Sequence, residues 1–337
     1  MLEDIQTTLT DFSQQDSRLY YCQLDADRLE NNHCMLSGVI LDMDALAHVQ
    51  EVLQARFPTV TFATNNVRVL SRPGQKKLTV STNVTSLMSE PSWRSEQMSQ
   101  VFNGWQVEIL LDQESWVFVR QDRDGGYLGW VYRDFLVDEP APEVTHLVYE
   151  PVSVLFAEPS VEASLVGRVV IGMVVAVTAV QDGWAQLSLA GGLTGWLPQN
   201  HVRSINDIPQ SESERRQQII KSARLLTGVP YQWGSRTALG IDCSGLAELC
   251  CRLSGISIPR DADMQFNAGR GIEPPFQAGD LLFFGSERGH RSVSHVGISL
   301  GGWDMIHASR SRNGVHEDNV QAEPWLRDIF LGARSFF

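Results

Sequence analysis

The 337-residue sequence lacks a long apolar run, an excess of basic residues and a secretory leader. No segment approaches the roughly 20 apolar residues that a membrane span requires, so we expect no membrane partner. The net charge of −13 comes without clusters of Lys and Arg, which argues against nucleic acid as a partner. Residues 1–11 contain neither a basic segment nor an apolar core, so they do not form a signal peptide.

Cysteine is scarce, and its pattern excludes a disulfide framework. There are five cysteines, an odd number, and Cys250 and Cys251 are adjacent inside a predicted helix. Cys22 and Cys34 can pair in principle, but nothing in their spacing supports a bond. The pattern indicates a reducing compartment, and we expect a cytoplasmic protein. Because the Cys and His spacings match no zinc motif, we expect no metal and no other cofactor.

An internal repeat organises the middle of the chain, within residues 71–205. Residues 104–116 align with 172–184 at an offset of 68, and Gly129-Trp130 aligns with Gly195-Trp196 at an offset of 66. Short alternating strands and Gly-rich turns predict two small β-barrels. We place the domains as follows: a small α+β module at 1–70, the barrels at 71–140 and 145–205, and a last domain at 209–337.

Cys243 is the candidate nucleophile. Leu246, Leu249 and Leu253 follow it at helical spacing, which puts Cys243 in the first turn of a helix. Unpaired N–H groups and the positive end of the helix dipole favour a thiolate there. The alternative is a small buried core residue, which is common for free cysteine.

Two histidines downstream lie in a predicted hairpin. Residues 294–300 alternate as a strand, and His307 follows two glycines on the next strand. A three-residue loop would place His295 and His307 opposite or diagonal to each other, with Cβ atoms roughly 4.5–8 Å apart. Together with Cys243 they would form a triad in which His295 takes the thiol proton and later protonates the leaving amine. His307 would hold the His295 ring in one tautomer.

These residues belong to six sequence blocks that resemble the NlpC-type cysteine peptidases of bacterial cell-wall metabolism. The blocks occur in the right order at 231–234, 242–246, 258–261, 278–284, 295–298 and 306–309. The resemblance implies a papain-like catalytic domain with the triad Cys243, His295 and His307. It also implies that Tyr231, Asp242 and Ser244 bind substrate. Ser235 departs from the pattern, since many relatives have glycine there.

The two barrels resemble bacterial SH3-like modules, so the expected fold is a multidomain α+β chain with a papain-like domain preceded by two SH3-like barrels and a small α+β module. Tyr127 of the first copy is replaced by Leu193 in the second, and Glu96 by Ser164. Glu96, Tyr127 and Asp261 resemble the residues by which cytoplasmic γ-D-glutamyl-diamino-acid endopeptidases read the free amino end of their substrate. The competing interpretation is solvated surface.

Three functions follow from these resemblances, and the first two belong to different classes. The first is a peptidase that cleaves the amide after γ-D-Glu in murein tripeptides or tetrapeptides and releases L-Ala-γ-D-Glu during recycling. The second is an exported wall hydrolase or wall-binding protein that uses its SH3-like pair for targeting. A third is a papain-like amidase or acyltransferase with the same triad. The missing leader and the divergence between the copies favour the first.

Overall fold

The computed structural model describes three stretches of the chain: 1–123, 125–285 and 293–337. It divides into two compact units. Unit 1 is made of residues 1–78, 90–93 and 106–134. Unit 2 is made of residues 79–89, 94–105 and 135–337.

The amino-terminal module of unit 1 is a three-stranded sheet with two helices. Its elements are α1 (Leu2–Ser13), β1 (Cys22–Glu30), β2 (His33–Ile40), α2 (Met43–Arg56) and β3 (Thr61–Val69). Asp42 caps helix α2, because its carboxylate accepts a hydrogen bond from the Ala45 N–H at 3.0 Å. Strand β2 pairs antiparallel with β1 and parallel with β3.

The register of β1 and β2 separates the two cysteines of this module. Cys22 lies opposite Ile40, whereas Cys34 lies opposite Leu29, seven positions further along β1. At about 3.3 Å per residue this is more than 20 Å, far beyond the reach of a disulfide. Both cysteines are therefore free and buried.

Residues 77–137 contain the first barrel strands, which the two units share. They are β4 (Lys77–Val80), β5 (Val84–Met88), β6 (Gln97–Phe102), β7 (Gln106–Gln113), β8 (Trp116–Gln121), β9 (Leu128–Tyr132) and β10 (Leu136–Val137). In unit 1, β7, β8 and β9 form an antiparallel meander that shares an apolar core with the amino-terminal module. In unit 2, β5 and β6 form a hairpin.

The second barrel lies entirely in unit 2. Its strands are β11 (His146–Val148), β12 (Val152–Phe156), β13 (Leu165–Val170), β14 (Val174–Gln181), β15 (Trp184–Ser188), β16 (Thr194–Pro198) and β17 (Val202–Ser204). They form one seven-stranded sheet in the order β13-β12-β16-β15-β14-β11-β17. Leu147 and Ile171 of this barrel belong to the core of the carboxy-terminal region, which joins the two in one packed body.

The carboxy-terminal region combines helices with a six-stranded antiparallel sheet. Its elements are α3 (Glu212–Leu225), β18 (Arg236–Thr237), β19 (Gly240–Ile241), α4 (Cys243–Arg252), α5 (Ala262–Ala268), β20 (Arg270–Ile272), β21 (Leu281–Phe284), β22 (His295–Gly301), β23 (Asp304–Ser309), β24 (Gly314–Asn319), α6 (Pro324–Arg327) and β25 (Phe330–Ser335). The sheet order is β20-β25-β21-β22-β23-β24. Helix α4 is buried along nearly its whole length, because its apolar residues share one core with the inner faces of β21, β22 and β23.

The chain is therefore a multidomain α+β protein, as the sequence predicts. Within the described stretches, the structure contains no helix long and apolar enough to cross a membrane.

Candidate active site

Cys243 is the first residue of α4, and the sequence fixes it there through the preceding aspartate. Asp242 has an extended backbone and caps the helix, since its Oδ1 accepts a hydrogen bond from the Gly245 N–H at 2.7 Å. The Cys243 sulfur accepts hydrogen bonds from the backbone N–H groups of Ser244 and Val296. The helix start thus faces β22 at the residue next to His295.

Burial outweighs the helix terminus in setting the charge of Cys243. Only 6% of the residue is exposed, and this burial raises the pKa of the thiol to about 12, with the negative charge of Asp242 acting in the same direction. The N–H groups of Val296 and Ser244 lower it, but less. The expectation of a thiolate at this helix start is therefore wrong for the free protein, because the argument from the helix dipole omitted desolvation.

His295 and His307 meet across the β22–β23 hairpin. Ile298 pairs with Ile306, which places the two histidines diagonally on one face. Nε2 of His295 and Nδ1 of His307 are 2.7 Å apart, a hydrogen bond. Gly297 leaves room on this face for Met305 and His307, because a Cβ at that position would lie 2.5 Å from Sδ of Met305 and 3.3 Å from Cβ of His307.

Both imidazoles are neutral in the folded protein. Desolvation, with the electrostatic effects of His307 and His316 acting in the same direction, lowers the pKa of His295 to about 3. Desolvation also lowers the pKa of His307 to about 3, helped by His316 and Arg312. His295 is half-buried, whereas His307 is completely buried. The site therefore holds a neutral thiol beside a neutral base.

The polar chain continues from β23 to the next strand, β24. Nε2 of His307 lies 3.1 Å from Oδ2 of Asp318 and 3.2 Å from Nε2 of His316, and Nε2 of His316 lies 2.8 Å from the same Asp318 oxygen. These three side chains are close enough to hold a metal ion. The Nε2 atoms of both rings nevertheless lie within hydrogen-bond distance of the Asp318 carboxylate, so the group makes these contacts without an ion. The absence of a metal stays a prediction.

A buried arginine holds the two residues on either side of Cys243. Arg260 is completely buried, and its two terminal nitrogens donate to Oδ1 and Oδ2 of Asp242 at 3.1 and 2.7 Å. It also donates to the hydroxyl of Ser244 at 2.8 Å. Gly234 N–H donates to Oδ2 of Asp242 at 2.8 Å. Asp242 and Ser244 therefore position α4, and their predicted contact with substrate stays a prediction.

The loop before β18 is held by residues at and just before strand β6. Trp233 Nε1 donates to Oε1 of Glu96 at 2.6 Å, and the Gln97 side chain donates to the Ser235 hydroxyl at 2.9 Å. Gly234 has a φ of +72°, and a Cβ there would lie 2.2 Å from the Gln97 carbonyl oxygen. Only glycine fits this approach. Glu96 thus lies beside the loop that leads to Cys243.

The structure places the remaining predicted residues at different points. Burial raises the pKa of Tyr231, and the proximity of Cys243 and Asp242 adds to the shift, so Tyr231 adjoins the nucleophile. Asp261 caps α5 by position and lies 3.8 Å from Arg260. Tyr127 is in unit 1 and is only 1% exposed, so the interpretation as solvated surface does not hold for it.

Three residues that the sequence reasoning missed contribute to this arrangement: Arg260, Ser235 and Asp318. Arg260 and Ser235 fall inside or beside the recognised blocks, but only the fold shows them buried against the nucleophile loop. For Asp318 a signal existed. Asn313-Gly314 is a strong hairpin turn, and His316 and Asp318 follow it on alternate positions, hence on one face.

An α+β domain that presents a cysteine at a helix start to a pair of strand histidines defines the class of papain-like cysteine hydrolases. Residues 228–334 match the family model described as NlpC/P60 family, and residues 150–204 match the model described as bacterial SH3 domain. The chain is 30% identical over 232 residues to a γ-D-glutamyl-L-lysine dipeptidyl-peptidase of Bacillus subtilis, covering 64% of this chain and 74% of that protein.

Two further relatives agree with this match. A dipeptidyl-peptidase 6 of Lysinibacillus sphaericus is 26% identical over 252 residues, which cover 71% of this chain and 90% of that protein. The crystal structure of an NlpC/P60 family protein from Bacillus cereus superposes with a TM-score of 0.67 at 22% identity, over 77% of this chain and 99% of that one. The chain belongs to the NlpC/P60 family and carries a bacterial SH3 domain. The first SH3-like copy and the four domain boundaries stay predictions.

Proposed function

We propose that this protein is a cysteine peptidase that hydrolyses the γ-D-glutamyl-diamino acid bond of murein tripeptides or tetrapeptides with a free amino-terminal L-Ala, releasing L-Ala-γ-D-Glu. The observation that carries the proposal is the placement of Cys243 at the start of α4, beside the hydrogen-bonded pair His295 and His307. The relatives named γ-D-glutamyl-L-lysine dipeptidyl-peptidase support the choice of bond.

The reaction starts from a neutral Cys243 thiol and a neutral His295 imidazole. Nε2 of His295 is engaged by His307, so Nδ1 is the nitrogen that takes the proton from the Cys243 thiol while the sulfur attacks the scissile carbonyl. The tetrahedral intermediate collapses as His295 returns that proton to the leaving amine, which leaves a thioester on Cys243. Water then attacks the thioester, His295 takes its proton, and the thiol is regenerated as the dipeptide departs.

Recognition of the free amine is assigned to carboxylates near the nucleophile. Glu96 is held by Trp233 in the loop before Cys243, and Asp261 lies next to the arginine that fixes Asp242. A carboxylate pairs with the ammonium of L-Ala, whereas an acetylated amine leaves it without that partner at a cost of about 1–3 kcal/mol. Tyr127 is in unit 1, so its part in this recognition stays a prediction from the sequence.

We also propose that the protein works in a reducing compartment, on released wall peptides. Its five cysteines are all free, and the register of β1 and β2 keeps Cys22 and Cys34 far apart. This supports a cytoplasmic recycling role. Cell fractionation tests it, because most of the native protein would be found with the cytoplasmic fraction. Recovery mainly outside the cytoplasm would favour the exported wall hydrolase.

The experiment that tests the activity compares three substrates by mass analysis of the products: the free tripeptide L-Ala-γ-D-Glu-diaminopimelate, its N-acetyl form and intact polymeric wall. We expect L-Ala-γ-D-Glu from the free tripeptide, turnover lower by roughly tenfold to a hundredfold on the acetylated peptide, and none on intact wall. Equal rates on free and acetylated peptide would remove the proposed amine recognition. Release of fragments from intact wall would favour the alternative.

A matched pair of cysteine variants tests the nucleophile. Cys243→Ala should abolish turnover and leave the fold intact. Cys250→Ala removes a buried thiol from the same helix two turns further on, and it should keep the activity of the folded protein. Hydrolysis by Cys243→Ala above a trace would contradict the mechanism.

A further inference from the structure

The buried ring of His307 is held by a carboxylate beyond the three residues of the proposed triad. On the side away from His295, its Nε2 faces Oδ2 of Asp318 at 3.1 Å and Nε2 of His316 at 3.2 Å. His307 is completely buried, so water does not compete for this nitrogen. Arg312 lies 3.0 Å from the other oxygen of Asp318 and forms an ion pair with it.

The proton positions along this chain follow from which atoms can only accept. The carboxylate of Asp318 is only an acceptor, so the hydrogens between it and the two rings belong to Nε2 of His316, at 2.8 Å, and to Nε2 of His307, at 3.1 Å. A neutral His307 then has a bare Nδ1, and that atom can only accept the hydrogen on Nε2 of His295. Nδ1 of His295 is left with its lone pair.

We infer that Asp318 is a positioning residue for the reaction: it fixes the tautomer of His307 and, through it, keeps Nδ1 of His295 free to take the thiol proton. His316 and Arg312 orient the carboxylate. This inference rests on the proposed function, in which His295 is the base. Without Asp318, nothing selects between the two tautomers of the paired rings. In the reversed pair His295 carries its hydrogen on Nδ1, where it cannot accept a proton from Cys243.

The tautomers can be measured directly in the unmodified protein. Selective ¹⁵N labelling of histidine separates protonated from bare ring nitrogens by chemical shift, and His295→Gln and His307→Gln spectra assign the signals. We expect His295 and His307 both to carry hydrogen on Nε2 near neutral pH. Hydrogen on Nδ1 of either ring would overturn the inference. Because no substrate is needed, this result is independent of whether the proposed peptidase activity is found.

Variants then connect the tautomer to turnover. Asp318→Ala should lower kcat by about tenfold to a hundredfold at unchanged KM, with both tautomers visible in the spectrum, as for other residues that orient an imidazole from behind. Asp318→Asn keeps an acceptor oxygen and should recover most of kcat. A kcat within twofold of the unmodified enzyme for Asp318→Ala, or unchanged tautomers, would overturn the inference.

Asn319→Ala is the matched control. Asn319 is the next residue on β24, and its amide donates to Asp304 across the same pair of strands at 2.7 Å without touching a histidine. It should leave kcat and the tautomers unchanged, which separates the role of Asp318 from a general weakening of β23 and β24. If Asn319→Ala lowered kcat as much as Asp318→Ala, the positioning role would be refuted.

The same cluster bound to a metal would give the opposite proton pattern. A zinc ion on His307 and His316 needs the lone pair of Nε2 on both rings, which moves the His307 hydrogen to Nδ1 and reverses the His295 tautomer. We expect the purified protein to contain no stoichiometric metal and EDTA to leave kcat and the spectrum unchanged. Zinc that copurifies, or tautomers that change with EDTA, would overturn the inference.

Discussion

The two copies of the repeat contact the catalytic region in different ways, although they share a strand pattern. In the first copy three polar side chains hydrogen-bond to the loop before Cys243: Glu96 accepts from Trp233, Gln97 donates to Ser235, and Gln100 accepts from the Arg236 N–H at 2.9 Å. In the second copy the equivalent positions, at the offset of 68, are 164–168, where Leu165 and Val166 are 57% and 38% exposed.

The second copy uses a different surface. Leu147 and Ile171 are part of the core around α4, the Tyr149 hydroxyl donates to the Leu253 carbonyl, and Arg252 donates to the Gly172 carbonyl at 2.8 Å. The contact combines apolar packing with these two hydrogen bonds, which lie at the carboxy-terminal end of α4. The two copies therefore contribute differently. The first copy hydrogen-bonds to the loop before Cys243, and the second packs against the helix that begins with Cys243.

The largest effect is expected from Arg260, which links β6 of the first copy to the residue before Cys243. It donates to Ser99 of β6 at 3.2 Å and to Asp242, both buried. Arg260→Ala leaves the Asp242 carboxylate buried without its cation, so we expect the free energy of unfolding to fall by about 3–5 kcal/mol in urea titrations.

The control for this prediction is Arg168, the second-copy counterpart of Gln100, which is exposed. Arg168→Ala should change the free energy of unfolding by no more than about 0.5 kcal/mol. Similar decreases in the free energy of unfolding for both variants would mean that the two copies stabilise the catalytic region equally.

A smaller effect is expected in turnover when Glu96 loses its charge. Glu96→Gln keeps an oxygen for Trp233 but cannot pair with the substrate ammonium, so kcat/KM on the free tripeptide should fall about tenfold to a hundredfold, with little change on the acetylated peptide. Its second-copy counterpart, Ser164→Ala, should leave both rates within twofold. Steady-state kinetics on the two peptides decide between polar recognition and simple packing.

The smallest difference between the copies concerns acid stability, because the second copy has a partly buried histidine, His146, and residues 71–140 have no histidine. Burial lowers the pKa of His146, as it lowers those of His295 and His307 to about 3. Below pH 6.5 the histidines of the unfolded chain bind protons, whereas the buried rings of the folded protein stay neutral. The free energy of unfolding therefore falls as the pH drops from 6.5 towards 3. Each of the two catalytic-region rings contributes at most about 1.4 kcal/mol per pH unit.

Urea unfolding at pH 7.5 and 5.5 measures this loss in the unmodified protein and in two variants. His146→Gln should flatten the pH dependence slightly and His307→Gln more strongly. Equal slopes for the three proteins would contradict the assignment of neutral buried rings.

The repeat explains why part of the site could be predicted from sequence. Glu96 stands out because its counterpart is Ser164, and it lies beside the catalytic loop. The triad residues lie within short local patterns, a helix start and a hairpin, whose periodicity sets which side chains share a face. The helix α1 was not predicted, although Ile5, Leu9 and Phe12 have helical spacing and are buried.

What could not be predicted depends on burial and on distant partners. Arg260 looks like a surface cation until β6 and α4 enclose it, and Ser235 looks like a neutral substitute for glycine until Gln97 donates to it. The charge of Cys243 is the clearest case. The local helix argument favours the thiolate, whereas the surrounding protein, assembled from residues far apart in sequence, raises the pKa of the thiol to about 12.

The left-handed glycine before the nucleophile limits how freely this protein can be recombined. At Gly234 the loop comes so close to the Gln97 carbonyl that any side chain would collide with it. The catalytic region therefore fits one particular neighbouring strand, β6, and cannot be exchanged as an independent unit. Transplanting residues 209–337 onto another binding module would leave this loop without its companion strand. A functional chimera would have to carry the hairpin of β5 and β6 along with the catalytic residues.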